Sequence, residues 1–488
     1  MNRSADSHFS PWLALIVVCL GQFMVVLDAT IVNVALPAIK ADLNISQANL
    51  QWIVNAYTLL FGGFLLLGGR AADLFGRRNL FIAGVAIFSA ASLVNGLASS
   101  EEMLIGARAL QGFGAALMSP AALAVITTSF SEGTERTKAL SIWAAVASGG
   151  SAVGLLLGGI LTETLSWEWI FFINVPIGVG IVLASLRLVP NSRVVGGSRY
   201  FDIAGAISVT AGLLVLVYAI VKAEAWGWGS GSTLGLAGLA LVLLAAFIAI
   251  EQRSPFPLVR LSLFKLRSLA VGNGVFLIVA GGLFAMFFFA SLYLQNILGY
   301  SALTTGFAFL PVTLGIMIGA VTAQQLVPKR GVRLVMLTGL SVAAIGLTIL
   351  GFSTQVDGTY LGVLGGLFPM SVGMGATFVS LTLVATTGVD EDDAGLASGI
   401  FNTSQQVGGA LGLAILSTLA NERTSGLLGD LTGQPTQAQV QSALVEGFQL
   451  AFFVAAGLIA LGVVLLGLLL RPRDVARIDA GDAVAVPA

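Results

Sequence analysis

Two charged side chains stand inside long apolar runs, Asp28 in the run from 12 to 36 and Arg108 in the run from 104 to 126. A charge at the centre of a bilayer costs about 2.5 to 3.5 kcal/mol on insertion scales, so both are functional candidates. If the first run leaves the cytoplasm and the fourth returns to it, the two share a depth in the outer half. A carboxyl in hydrocarbon favours its neutral form, and a cation beside it favours the ionised one. Moving such a pair together or apart takes up or releases a proton, which is the chemistry of a proton-driven transporter. The plainer alternative is a structural ion pair, with Arg108 close enough to the end of its run to reach the interface. Other chemistry has little to work with. The single histidine, His8, lies in a short polar tail, and the single cysteine, Cys19, lies in the first apolar run. With no metal-ligand cluster, no paired catalytic carboxylates and no sizeable soluble domain, neither an enzyme nor a metal or organic cofactor is expected.

The elements that must position these residues are membrane spans. The chain is 57% hydrophobic and 10% charged, with a mean hydropathy of +0.95. An apolar helix needs about 20 residues to cross a bilayer, and we count about fourteen runs of that length. Nineteen of the 23 Lys and Arg fall in loops and tails on one side, whereas only Lys40, Lys222 and Arg423 fall in the opposite loops. The positive-inside rule then places both termini in the cytoplasm. The reading is a monomeric, multi-pass protein of the plasma (bacterial inner) membrane, all-α, with 14 transmembrane helices and no nucleic-acid partner. An acidic run at Asp390, Glu391, Asp392 and Asp393 departs from the basic inner face and reads as a solvated loop.

Two stretches echo each other. Gly69, Arg70, Asp73, Gly76, Arg77 and Arg78 form a short basic turn after the second run, and Lys329, Arg330, Gly331 and Arg333 form another after the tenth. Gly150, Gly154 and Gly158, with Gly159 beside them, clear one helical face, as Gly408 and Gly412 do later; small residues at this spacing permit close helix approach. These match if two extra helices, at 201–250, separate an N-terminal six-helix bundle at 12–187 from a C-terminal one at 269–470, with a tail at 471–488. Paired bundles around a shared central site are a common transporter plan. Gln22, Met24, Gln111, Trp143, Phe287 and Tyr293 are candidates for a substrate cavity, though each could equally serve helix packing. Such an inventory suits apolar or amphipathic small molecules better than sugars.

Four stretches carry a resemblance: Leu27-Asp28-Ala29-Thr30-Ile31-Val32-Asn33-Val34-Ala35-Leu36-Pro37, the basic turn from Gly68 to Arg78, Arg108-Ala109-Leu110-Gln111-Gly112-Phe113-Gly114, and Gly399-Ile400-Phe401-Asn402-Thr403-Ser404. Together they resemble the fourteen-span drug:proton antiporters of the major facilitator superfamily. The resemblance implies alternating access, proton-coupled efflux of drug-like molecules, a proton role for Asp28 with Arg108, and a gating latch at Asp73 with Arg70 and Arg77. A proton-coupled importer of the same fold is the nearest rival. Two positions depart from the pattern. Leu155 follows Gly154 where a proline is expected, and Glu168 stands between Trp167 and Trp169 where a cation is expected.

Overall fold

With no water in the bilayer core, a spanning backbone must satisfy its own hydrogen bonds, and helices do so within one segment. The computed structural model describes residues 10–130, 134–190, 202–255, 257–386, 394–429, 431 and 434–475. Among these the helices are α1 (Pro11–Asp42), α2 (Gln47–Leu50), α3 (Trp52–Phe75), α4 (Arg77–Gly96), α5 (Glu101–Ser129), α6 (Thr134–Thr164), α7 (Trp169–Phe172) and α8 (Asn174–Leu188). They continue with α9 (Ile203–Trp226), α10 (Gly231–Arg253), α11 (Arg267–Asn296), α12 (Ala302–Ala308) and α13 (Leu310–Arg330). The chain closes with α14 (Val332–Ser353), α15 (Tyr360–Thr386), α16 (Ala394–Gly429) and α17 (Gln437–Leu469). No strand occurs among the described residues.

Twelve of the described segments are long and apolar enough to cross a membrane. The fourteen expected from sequence are therefore not all matched. The two outside the twelve are α6 and α16, of 31 and 36 residues. Both have the length, but α16 dilutes its apolar residues with Asn402, Thr403, Ser404, Gln405 and Gln406, and several side chains of α6 lie outside the described residues. The acidic run at 390–393 and the tail beyond 475 also lie outside them.

Helix ends follow from local chemistry. Ser100, Ser230, Ser301 and Thr436 each accept a backbone amide from the first turn of the helix they precede, which satisfies a donor that the helix cannot. The two basic turns noted in the sequence share one device. Gly76 between α3 and α4 has φ 96°, and Gly331 between α13 and α14 has φ 81°. Both are left-handed conformations that a Cβ would strain, so a helix can stop and the next start within one residue.

In packing, α1 lies against α5, α6 and α8, while α5 also carries α3 and α4. In the second half α11 lies against α15, α16 and α17, and α15 also carries α13 and α14. The two sets meet along α3 and α16, α6 and α12, and α1 and α11. The α9 and α10 helices pair with each other, and α9 rests on both α3 and α16. Leu239, Leu241 and Val242 of α10 are exposed, as expected of a surface whose solvent is lipid.

One close helix approach in the second set pairs Gly281 of α11 with Gly412 of α16. A Cβ added at Gly412 would collide with the Gly281 Cα. Overpacking of this kind costs about 1 to 3 kcal/mol. Gly412→Val is expected to lower the melting temperature of the detergent-purified protein, whereas Gly457→Ala, whose Cβ would meet nothing within 4 Å, should leave it unchanged. Size-exclusion fluorescence after heating measures both.

Candidate functional site

Asp28 projects from the middle of α1 and is 0% exposed, and Arg108 of α5 is 1% exposed. The structure brings them together: Arg108 Nη1 donates to Asp28 Oδ2 at 2.5 Å. Arg108 thus turns inward and does not reach the interface. A buried ion pair repays its desolvation only when the remaining donors and acceptors are also met, and here both carboxylate oxygens and Arg108 Nε and Nη1 find partners on neighbouring helices. Gln111 Nε2 donates to Asp28 Oδ1 at 2.7 Å, and Asn174 Nδ2 at the start of α8 donates to the same oxygen at 3.1 Å. Gln111 Oε1 in turn accepts from Arg108 Nη1 and from Asn95 Nδ2 of α4, both at 2.7 Å. Ser92 of α4 accepts from Asn174 at 3.1 Å and donates to the Phe171 carbonyl of α7 at 2.8 Å.

The arginine has partners besides the carboxylate. Its Nε donates to the Ile53 carbonyl of α3 at 3.0 Å, and its guanidinium carbon lies 4.4 Å from the centre of the Tyr57 ring. A cation over an aromatic face is attracted by the ring quadrupole. Arg108 therefore keeps a carbonyl, a carboxamide oxygen and a ring even when Asp28 is neutral.

Beyond this site, towards the end of the molecule that carries Asp42, the two halves are joined. Ser291 Oγ of α11 donates to the Asn33 carbonyl at 2.8 Å, and Gln295 Nε2 donates to the Val34 carbonyl at 3.0 Å. The Leu303 amide of α12 donates to Glu163 at the end of α6 at 3.0 Å. The glycines of α6 line up beside this seam. Gly150, Gly154 and Gly158 face Phe23, Leu27 and Ile31 of α1, whereas Gly159 faces Ala302 and Leu303 of α12. Where a proline was expected, the buried Leu155 continues the helix, and its carbonyl faces Gly306 of α12.

A sequence model described as the Major Facilitator Superfamily matches residues 18–413. The chain belongs to the Major Facilitator Superfamily. It is a multi-pass membrane transporter and not an enzyme. It is 40% identical over 485 residues, 98% of this chain and 95% of the other, to the puromycin resistance protein pur8 of Streptomyces alboniger. It is 41% identical over 447 residues, 90% of this chain and 91% of the other, to the cephamycin export protein CmcT of Amycolatopsis lactamdurans. Among solved structures it resembles a D-xylose-proton symporter, with a TM-score of 0.66 at 14% identity, covering 94% of this chain and 98% of that one. That likeness is one of fold.

Other residues singled out in this superfamily chain are dispersed. Gln111 belongs to the Asp28 cluster, and Gln22 accepts from Ser119 at 2.9 Å. Met24 and Trp143 are buried in the apolar core of the first set of helices. Phe287 packs on Phe309 with ring centres 5.6 Å apart, and Tyr293 donates to the Gln355 carbonyl at 2.6 Å. In the basic turn, Gly69 approaches Pro120 of α5, Gly76 provides the left-handed joint, and Arg70, Arg77 and Arg78 are half-buried. The side chain of Asp73, their expected latch partner, lies outside the described residues. Trp167 is buried and donates to Asp42 at 3.1 Å, so of the two tryptophans flanking Glu168 only Trp169 has the exposure of an interfacial residue. Glu168 itself is half-buried, with Oε2 lacking a partner.

The sequence alone did not mark Asn174, Ser92, Asn95 and Tyr57, although Gln111 sits three residues from Arg108 and hence on the same helical face. Arg108→Ala would leave a carboxylate buried with only amide partners, a change expected to cost about 3 to 5 kcal/mol. Adding Asp28→Asn should recover much of that loss. A double-mutant cycle on thermal unfolding in detergent measures the coupling, and strictly additive losses would mean that the pair acts as two independent residues.

Proposed function

We propose that this transporter is a proton-driven antiporter that exports apolar or amphipathic, drug-like small molecules by alternating access. The observation that carries the reading is the wholly occluded Asp28, ion-paired with an arginine that has other partners ready. The names of the two relatives, a resistance protein and an export protein, support the outward direction. In this reading fourteen helices span the bacterial inner membrane, with α6 and α16 among them. The bundles are 12–187 and 269–470, the inserted pair is 201–250, and the Arg77 end and both termini face the cytoplasm, in keeping with the one-sided Lys and Arg. The protein works as a monomer.

Coupling follows from competition for one carboxyl. When the bundles open outward, the seam at Ser291, Gln295 and Glu163 parts and Asp28 meets a proton-rich medium. Protonation cancels the charge, and a neutral acid is cheaper to bury while the bundles turn. Arg108 then rests on the Ile53 carbonyl, Gln111 and Tyr57. Once the site opens inward the proton leaves, the ion pair re-forms, and the cargo is captured for the next outward swing. In this scheme Asp73 with Arg70 and Arg77 latches the cytoplasmic ends. Candidate residues for the cargo pathway are Gln22, Met24, Trp143, Phe287 and Tyr293.

One charge crossing 100 mV releases about 2.3 kcal/mol, and one pH unit adds about 1.4 kcal/mol. One proton per cycle would therefore sustain a gradient of a few hundredfold for a neutral cargo. In energised inside-out vesicles, an amphipathic fluorescent cation should accumulate and partly dissipate the pH gradient. Asp28→Asn is expected to abolish both effects while the protein remains in the membrane at wild-type level. Full transport by that variant would move the proton to another group, and transport only in the opposite direction would make the protein an importer.

A further inference from the structure

The α9 and α10 helices carry no charge from Ile203 to Val221 or from Gly231 to Ile250. One end of the pair is nevertheless closed by two acids. Asp202, 7% exposed, precedes α9, and its Oδ1 accepts the Gly205 amide at 2.6 Å. Glu251, 4% exposed, lies in the last turn of α10, and its Oε2 accepts at 3.1 Å from the Val259 amide, in the segment leading to α11. Each carboxyl keeps a second oxygen, Asp202 Oδ2 and Glu251 Oε1, that is buried without a hydrogen-bond partner. The two groups are neighbours, since Asp202 Oδ1 and Glu251 Oε1 both lie 2.9 Å from the point where a Cβ on Gly205 would stand.

Ionised, both groups would be acceptors only, so two buried carboxylates would face one another with no donor between them. Buried polar atoms are rarely left so. No described side chain hydrogen-bonds either free oxygen, and Arg193 and Arg199 of the preceding segment lie outside the described residues. Arg253 and Arg260, on the chain beside the pair, are exposed, and α3 ends on this side with Arg70 and Asp73. The α16 helix is uncharged from Ala394 to Asn421. A carboxylate at Asp202 is favoured by the amino end of α9, but one at Glu251 meets the negative end of α10.

We propose that Asp202 and Glu251 form a second proton-binding site, an acid and a carboxylate sharing one proton, which clips the segment after α10 to the inserted helix pair. The hydroxyl of one acid donates to the free oxygen of the other, which supplies the missing donor. Losing that proton sets two like charges against each other beneath Val259 and loosens the joint between α10 and α11. The site lies at the opposite end of the helices from the Asp42 seam, so on the topology proposed above it reads cytoplasmic pH. It does not depend on any role for Asp28.

Glu251→Gln tests this without emptying the site, because a carboxamide accepts from Val259 with its oxygen and donates to Asp202 with its nitrogen. In purified Asp28→Asn protein, where Asp28 contributes no signal, infrared spectroscopy at neutral pH should show a protonated-carboxyl carbonyl band. That band should be lost when Glu251→Gln is added. The folded pair holds one proton more than the unfolded chain, so melting temperature should fall as pH rises from mildly acidic to mildly alkaline. Glu251→Gln should flatten that slope. Absence of the band at neutral pH, or a band and slope unchanged by Glu251→Gln, would overturn the proposal. So would an absent band together with a melting temperature raised by millimolar sodium or calcium, which would make the pair a cation site.

Discussion

The N-terminal helices are organised by the cost of holding one carboxylate and one guanidinium away from water. Desolvation of each ion costs several kcal/mol even after the protein relaxes, and mutual attraction offsets this only with good geometry and complete hydrogen bonding. The arrangement around Asp28 and Arg108 answers much of that demand with groups from α3, α4, α5 and α8, though Asn95 Oδ1 and Asn174 Oδ1 stay without partners. Each of these helices is thereby fixed relative to α1. The break between α7 and α8 has a reason in this light, since it sets Asn174 at a helix start with its carboxamide turned to Asp28 and Ser92. The pair is thus both a candidate for chemistry and a constraint on packing, and any movement that separates it must find new partners for both ions.

How much of this was readable in advance depended on the kind of signal. A charge in an apolar run stands out, so Asp28 and Arg108 were visible, and the alternation of spans put them at one depth. Uncharged amides do not stand out. Asn95 and Asn174 lie near helix ends, where such residues often serve as caps, and only the folded chain shows them facing inward. Gln111 carries no charge to set it apart from a cavity residue, and only its spacing of three from Arg108, which puts both on one helical face, points to the ion pair. The acids at 202 and 251 are inconspicuous in the sequence for a related reason. At the ends of spans, carboxylates usually face water, but these two are buried, Glu251 where the chain returns to bring the Val259 amide to it, a tertiary event that no periodicity records.

Span counting shows the same division. Apolar length is local, and twelve segments satisfy it among the described residues. A helix enclosed by other helices need not be strongly apolar, because its neighbours rather than lipid are its solvent. The α16 helix is in that position, packed on α3, α9, α11 and α17, and Ser404 and Thr403 find partners in Asn273 and the Gly62 carbonyl. Thr403 and Ser404 thus lower its hydropathy while bonded to neighbouring helices, whereas Asn402 is exposed and bonds back to the Ser398 carbonyl of its own helix. The repeat between halves was legible at the level of turns, through Gly76 and Gly331, because a left-handed joint leaves a glycine in the sequence.

Under alternating access, the contacts between the halves must divide into those that part and those that persist. Along the Asp42 seam, beside the close approach of α6 and α12 at Gly159 and Gly306, they include two side-chain bonds to carbonyls, Ser291 to Asn33 and Gln295 to Val34. Each can be exchanged for water at little net cost, since folding and solvation compete for the same donors. Along α3 and α16 the contact is of another kind. Gly62 meets Gln406, Gly63 meets Thr210 of α9, and Ala410 and Ala414 complete an apolar cluster with Leu59 and Val217. Small residues present a smooth surface on which a helix can tilt without forcing side chains out of their rotamers. The α9 helix touches both α3 and α16, so it cannot move rigidly with each of them if they rotate apart. If the halves rotate in this way, the inserted pair would sit near the pivot line, where displacement is least, and the carboxyl pair at its end would move least against both halves.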